Sequence, residues 1–186
     1  MPTTAAAPPT VNSPTLSKLI AAVREIVQSH ADAAAAGGAV AELLRPCLGR
    51  ADFLREEQLE PDPQRYRQHV LHVEPDGSFS VVALVWLPGQ TTCIHDHVSW
   101  CVVGVHRGEE HETLYKIGGD AADPHLFVAG ECKNPAGSVV ALVPPGDIHH
   151  VTNNGDGLAV SLHIYGADIA VLGSSIRRRY DLPVRG

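Results

Sequence analysis

The polarity of this chain changes period part-way along its length. Leu16, Leu19, Ile20, Val23, Ile26 and Val27 recur at intervals near 3.6 residues, the spacing that lines one face of a helix. Ser13 or Thr15 stands where the cap of such a helix belongs. Gly37-Gly38 is expected to stop it. A second short helix is predicted over Val40–Leu44, ended by Pro46, and a weaker third over Asp52–Gln58 ahead of Pro61 and Pro63, since proline cannot continue a helix. From Tyr66 onward the period shortens. His69–Val73, Phe79–Trp86, Cys101–His106, Glu112–Lys116, Ser138–Val143 and Leu158–Ile164 read as strands, separated by PDG, LPGQ, GGD, PPGD and NNGDG. Such strands and turns predict a mainly β fold, a closed sandwich or barrel preceded by two or three helices. Residues 1–14, rich in Pro, Thr and Ala, are expected to form a disordered leader. Residues 15–186 are expected to form a single domain, with its helices in 15–60 and its barrel at about 66–170.

Composition narrows the function classes. Twenty-one acidic against fourteen basic side chains give a formal charge of −7, and the basic residues cluster only late, at Arg177-Arg178-Arg179. A nucleic-acid surface needs a basic stripe, so that partner is not expected. No apolar run approaches the roughly 20 residues that cross a bilayer. The opening MPTTAAAPPTVNSPT lacks the charged and apolar regions of a secretory signal, so the expected location is cytoplasmic. Cys47, Cys93, Cys101 and Cys132 have no Cys-x-x-Cys spacing, which argues against a disulfide framework and a thiolate zinc site. Eleven histidines are many for this length, and they cluster.

In Ile94-His95-Asp96-His97 a strand would point His95 and His97 to one face and Asp96 to the other. A bare His-x-His is more often solvated or core than metal-bound, but its context here is informative. Gly89, five residues, His95-x-His97 and a hydrophobic run ending at Gly108 resemble the first cupin motif. Gly137 with SVVALV, then Pro144-x-Gly146-x-x-His149-x-x-x-Asn153, resembles the second, with one extra residue before Pro144. His149 holds the ligand position, and its neighbour His150 would face the other way, outside the metal's reach or exposed. The first motif departs at one residue: where most cupins carry a ligand Glu, this chain has Cys101. Three neutral imidazoles leave a dication's charge uncompensated and about three coordination positions open. An anionic chelating substrate would supply that charge, and a thiolate is such a donor.

Ser161-Leu162-His163-Ile164-Tyr165 alternates polar and apolar. In a strand, Ser161, His163 and Tyr165 would share a face. Two readings stand open: a hydrogen-bond relay that holds the Tyr165 hydroxyl near the metal, or an edge strand whose polar face meets solvent.

IHDH with CVVGVHRGEEHETLY, GDIHHVTN and SLHIY together resemble cysteine dioxygenases and their bacterial thiol dioxygenase relatives, over roughly Tyr66 to Tyr165. The resemblance implies a cupin-like β-barrel of the jelly-roll kind and ferrous iron, Fe(2+), on His95, His97 and His149. It implies a relay of Ser161, His163 and Tyr165, with a small thiol and O2 as substrates and a sulfinate as product. In the animal-type enzymes a cysteine at the place of Cys101 is joined by a thioether to the tyrosine, so a Cys101–Tyr165 crosslink is one expectation and a small buried cysteine the other. The residue two after the tyrosine in Tyr66-Arg67-Gln68 would meet the substrate carboxylate. Arginine there goes with cysteine, glutamine with thiols such as 3-mercaptopropionate, and this chain has Gln68. Relatives of the glutamine type add an arginine after the tyrosine strand, for which Arg177 or Arg178 is expected. Two other classes stay open: a cupin dioxygenase or isomerase using manganese, nickel or zinc on a diketone, flavonol or sugar, and a non-catalytic cupin that binds a small ligand.

Overall fold

The first helix, α1 (Pro14–Ser29), starts because Ser13 turns its hydroxyl onto it: Oγ accepts from the Leu16 amide at 3.1 Å and donates to the Phe53 carbonyl at 2.8 Å. Pro14 takes the first turn, where a missing N–H is harmless. The computed structural model describes residues 13–30 and 32–185. Ser13 and Pro14 therefore belong to the fold rather than to a leader; residues 1–12 of that expected leader lie outside the described residues.

Gly37-Gly38 does not end a helix. α1 stops at Ser29, and α2 (Ala33–Leu44) starts from Asp32, whose Oδ2 accepts from the Ala35 amide at 2.8 Å, and runs through both glycines. Each glycine costs a helix about 1 kcal/mol, but α2 is held by packing as well as propensity, with Ala36, Val40, Ala41 and Leu44 buried. Within Asp52–Gln58 the predicted third helix shrinks to one 3-10 turn, Glu56–Gln58.

A strand forms at every place the alternation predicted. In chain order they are β1 (Arg67–Val73), β2 (Ser80–Trp86), β3 (His95–His97), β4 (Cys101–Arg107), β5 (Glu109–Gly118), β6 (His125–Pro135), β7 (Val139–Leu142), β8 (His149–Thr152) and β9 (Ala159–Tyr165), followed by the short helix α3 (Ile169–Leu172), β10 (Ile176–Arg179) and β11 (Val184–Arg185). β6 was not foreseen: its sequence HLFVAGECKNP is largely exposed and does not alternate cleanly, and it owes its strand form to antiparallel pairing with β5. β10 and β11 carry the sheet past the expected limit near residue 170. One sheet runs β1-β2-β9-β4-β7 and the other β10-β3-β8-β5-β6-β11; both curl, and together they form a half-barrel.

The centre of the first sheet, β2, β9 and most of β4, is buried on both faces. Val81, Ala83, Val85, Val102, Val160, Leu162 and Ile164 face outward and pack with Leu16, Leu19, Val23, Val40 and Leu44 of the helices. Val82, Leu84, Trp86, Cys101 and Tyr165 face the interior. Double burial explains why β2 reads SVVALVW without alternation. Gly104 on β4 allows the close approach of α2: a Cβ there would stand 2.6 Å from Leu44 Cδ2. Among the described residues no helix is long and apolar enough to cross a membrane.

Candidate metal centre

β3 is a three-residue strand, and its period of two aims His95 and His97 into the half-barrel while Asp96 points out. β8 runs antiparallel beside it, with His149 directly opposite His95. The three rings stand 4.7–5.0 Å apart between centroids, each is buried, and the three offered ligand atoms lie within 4.8 Å of one another.

Each ring is held from behind by an acceptor. His95 Nδ1 reaches the Cys93 carbonyl at 2.9 Å, His97 Nδ1 an Asp147 carboxylate oxygen at 2.9 Å, and His149 Nδ1 the Glu112 carboxylate at 2.6 Å. An acceptor there fixes the proton on Nδ1 and leaves the Nε2 lone pair for a metal. His149 Nε2 is buried and has no hydrogen-bond partner, an unusual cost for a buried polar atom unless something coordinates it. Burial, with His149 and His97 adding like charge, pushes His95 down to about 3, so its imidazole is neutral. Burial alone would raise Asp147, but the hydrogen bonds from His97 outweigh it and hold that carboxyl below its usual range. The residues present thus fit a divalent cation.

Glu112 and Asp147 were not singled out from the sequence. Their carboxyl groups stand behind His97 and His149, in a cluster whose candidate ligands include no carboxylate. The available signal was position: Asp147 lies two residues before His149, and Glu112 lies on a strand that pairs with β8. His150 faces the other way, bonding Thr91 Oγ1 at 2.6 Å and Thr152 Oγ1 at 3.2 Å.

β9 lies between β2 and β4 and is buried throughout, so it is no solvent-facing edge. Ser161 Oγ meets His163 Nε2 at 3.0 Å, and His163 Nδ1 meets the Tyr165 hydroxyl at 3.1 Å. Burial, with the neighbouring histidines, pushes His163 down to about 3. Burial and then Cys101 push the Tyr165 hydroxyl well above its usual value, so it keeps its proton. Cys101 is directly opposite Tyr165 in the β4–β9 register, with Sγ 3.9 Å from His163 Nδ1. Burial raises its thiol well above the usual value, so it is no ready thiolate.

His95, His97, His149, His163 and Tyr165 open onto one cavity of about 580 Å³, lined also by Tyr66, Gln68, Trp86, Arg65, Arg67 and Arg179, while Ser161 and Cys101 lie behind its wall. The Tyr66 ring stacks on Trp86 at 4.4 Å. Gln68 is paired with Leu84, and both line the cavity. Arg177 and Arg178 do not line it, contrary to the expectation. A bulge in β10 sets them both against the one residue Asp96, while Ile176 stands opposite His97 and Arg179 opposite His95. Arg177 forms an ion pair with the outward-facing Asp96, to which the Tyr180 hydroxyl also donates at 2.8 Å. A bulge leaves no periodic trace in a run of three arginines, so the arginine on the cavity side could not be told from spacing.

The family model of cysteine dioxygenase type I matches residues 5–172. The chain belongs to the cysteine dioxygenase type I family. Solved structures similar to it are cupins: a cupin 2 conserved barrel domain protein from Salinispora arenicola CNS-205 (23% identity, TM-score 0.43, covering 64% of this chain and 89% of that one) and a cupin superfamily protein from Desulfitobacterium hafniense DCB-2 (15%, TM-score 0.46, 65% and 95%). A protein from Thermus thermophilus is also similar (19%, TM-score 0.44, 62% and 96%). Membership of the cysteine dioxygenase family, with the three-histidine cluster, makes this a metal-dependent cupin of the thiol dioxygenase type.

Proposed function

We propose that this protein is an iron(II)-dependent dioxygenase that adds both atoms of O2 to the sulfur of a small thiol carboxylate, cysteine or 3-mercaptopropionate, giving the sulfinate. The observation that carries the reading is a buried cluster of three histidines with no carboxylate among the ligands, open on one side to a cavity that holds both a proton-bearing tyrosine and three arginines, Arg65, Arg67 and Arg179. The reaction balances without added reductant: RS⁻ and O2 give RSO2⁻, the sulfur supplying the electrons that O2 accepts.

Ferrous iron on His95, His97 and His149 would supply a Lewis acid for the thiolate and the redox partner that makes O2 reactive. The chain's own residues bind, orient and shield. Gln68 offers amide hydrogen bonds without charge, and Arg179, which no carboxylate pairs with among the described residues, offers the charge for the substrate carboxylate. Glutamine at position 68 favours 3-mercaptopropionate over cysteine. Tyr66, Trp86 and Leu84 wall off water, and Tyr165 holds its proton at the hydroxyl oxygen, ready to hydrogen-bond the reacting groups. The chain's cysteines are free, in keeping with a cytoplasmic setting.

The test is oxygen uptake by iron-loaded protein with cysteine, 3-mercaptopropionate, cysteamine and mercaptosuccinate, with products identified by mass. Sulfinate formed in step with O2 consumed is expected, fastest with 3-mercaptopropionate; no uptake with any thiol overturns the proposal. The direct Cys101–Tyr165 pairing also supports a thioether, formed with loss of two hydrogens to O2. Peptide mapping after turnover checks this: a joined peptide lighter by two hydrogens is expected, and an unmodified Tyr165 peptide removes the idea.

A further inference from the structure

A second, much smaller cavity lies behind His149. Its volume is about 10 Å³, and Glu110, Glu112, Asn134 and His149 line it together with Ser138 and valines. His149 and Val151 border both this space and the large cavity. Roughly 10–15 Å³ is the least that one water molecule occupies, and a buried water needs about two to four polar partners.

The polar groups around the space are unevenly satisfied. Glu110 and Glu112 are both buried on the inward face of β5. Glu112 Oε1 accepts from His149 Nδ1 at 2.6 Å, whereas its Oε2 receives the Asn134 side-chain amide at 3.4 Å, a long bond. Glu110 is 2% exposed, and its Oε1 has no hydrogen-bond partner among the described residues. A buried oxygen left unpaired is costly, and ordered water is the usual relief. Asn134 stands directly opposite Glu110 in the β5–β6 register, and its amide has a second proton to give.

We propose that this cavity is the site of one ordered water held by Glu110, Glu112 and Asn134, and that through this water Glu110 acts as a positioning residue for the metal ligand His149. The hydrogen-bond count closes. A water gives two protons and accepts two: one proton goes to Glu112 Oε2, the other to Glu110 Oε1, and the second Asn134 amide proton falls on a water lone pair. Either form of Glu110 serves, because a carboxylate accepts from the water and a carboxylic acid donates to it. The Glu112 carboxylate is then held from both ends. Its hold on His149 Nδ1 fixes the orientation of the ring whose Nε2 faces the metal.

The inference stands on the three-histidine cluster and not on the thiol dioxygenase reading, so either can fail alone. Cobalt(II) bound to the full-length protein reports ligand geometry through its absorption bands, and chelator competition gives its affinity. Glu110→Leu removes the polar group beside the cavity. It is expected to weaken cobalt binding about three- to tenfold and to shift the bands, a smaller effect than the roughly 10–100-fold cost of losing a histidine's direct partner. Glu110→Gln, which keeps groups that can bond the water, should restore both. Val140→Ile puts an extra methyl group on the cavity lining and leaves the polar groups intact; it should reproduce the loss, and it decides the matter should Glu110→Leu not fold. A high-resolution crystal structure of the unaltered protein should show one water within about 3.2 Å of Glu110 and of Glu112 or Asn134. A dry cavity, unchanged cobalt affinity in folded Glu110→Leu or Val140→Ile, or a Glu110→Gln protein as weak as Glu110→Leu overturns the inference.

Discussion

Two arginines two positions apart are sent to opposite sides by the bulge in β10. Arg177 is tied to Asp96, while Arg179 stands in register with His95 on the cavity wall. Arg179→Ala is therefore expected to raise the KM for a thiol carboxylate about tenfold, the scale of one lost charge-assisted contact, with kcat less affected. Arg177→Ala leaves the buried Asp96 carboxylate without its cation and should lower stability rather than substrate affinity. Initial-rate kinetics and urea denaturation of the two variants separate these outcomes. The adjacent histidines divide in the same way. His149→Ala should lose bound metal, whereas His150→Ala, which breaks only contacts to Thr91 and Thr152, should keep it. Asp147→Asn should weaken metal binding about 10–100-fold, the usual cost of disturbing the partner of a metal-bound histidine. Metal analysis after reconstitution tests all three.

Among the elements, the helices and the first sheet depend on each other. α2 tolerates two glycines because it packs on the sheet, and β4 has a glycine where α2 lies closest. Gly104→Val would force side-chain atoms into Leu44 and Leu48, with even the Cβ at 2.6 Å and 3.1 Å from them. A loss of about 1–3 kcal/mol is expected. Urea denaturation measures it, and combining Gly104→Val with Leu44→Ala should give less than the sum of the two losses, because the shortened side chain vacates the clash. β3 and β8 are short strands with only one paired register between them. Their alignment is reinforced by the Asp147 carboxylate, which accepts from the His97 backbone amide at 3.1 Å as well as from its ring.

For the whole molecule, burying polar chemistry inside a half-barrel makes stability depend on pH from both sides. Glu110 titrates at about 7 when folded against its ordinary value of 4.5, so the folded state holds the extra proton between those values. Its contribution is full below about 4.5 and is lost as pH rises through 7, a fall of about 3 kcal/mol. His163 has the opposite sense: held at about 3 against 6.5, it contributes fully above 6.5, and that contribution is lost as pH falls toward 3. Glu110→Gln should flatten the loss on the alkaline side and leave the acid-side loss in place; chemical denaturation at pH values on either side of 7 checks this. Much of this molecule was legible in the residue order. The switch from a period of 3.6 to a period of two exposed the helices followed by strands, and spacing set His149 and His150 on opposite faces and aligned Ser161, His163 and Tyr165, because side-chain direction along a strand is a local property; the resemblance to the second cupin motif chose His149 of the two. What lay beyond reach depends on which elements meet. The polar face of β9 is interior because α1 and α2 cover its apolar face, Glu112 and Asp147 back the histidines because β5, β8 and the loop before β8 converge on them, and Arg179 faces the cavity because pairing with β3 admits a bulge. Residue order states each strand's two faces; only packing decides which of them becomes the inside.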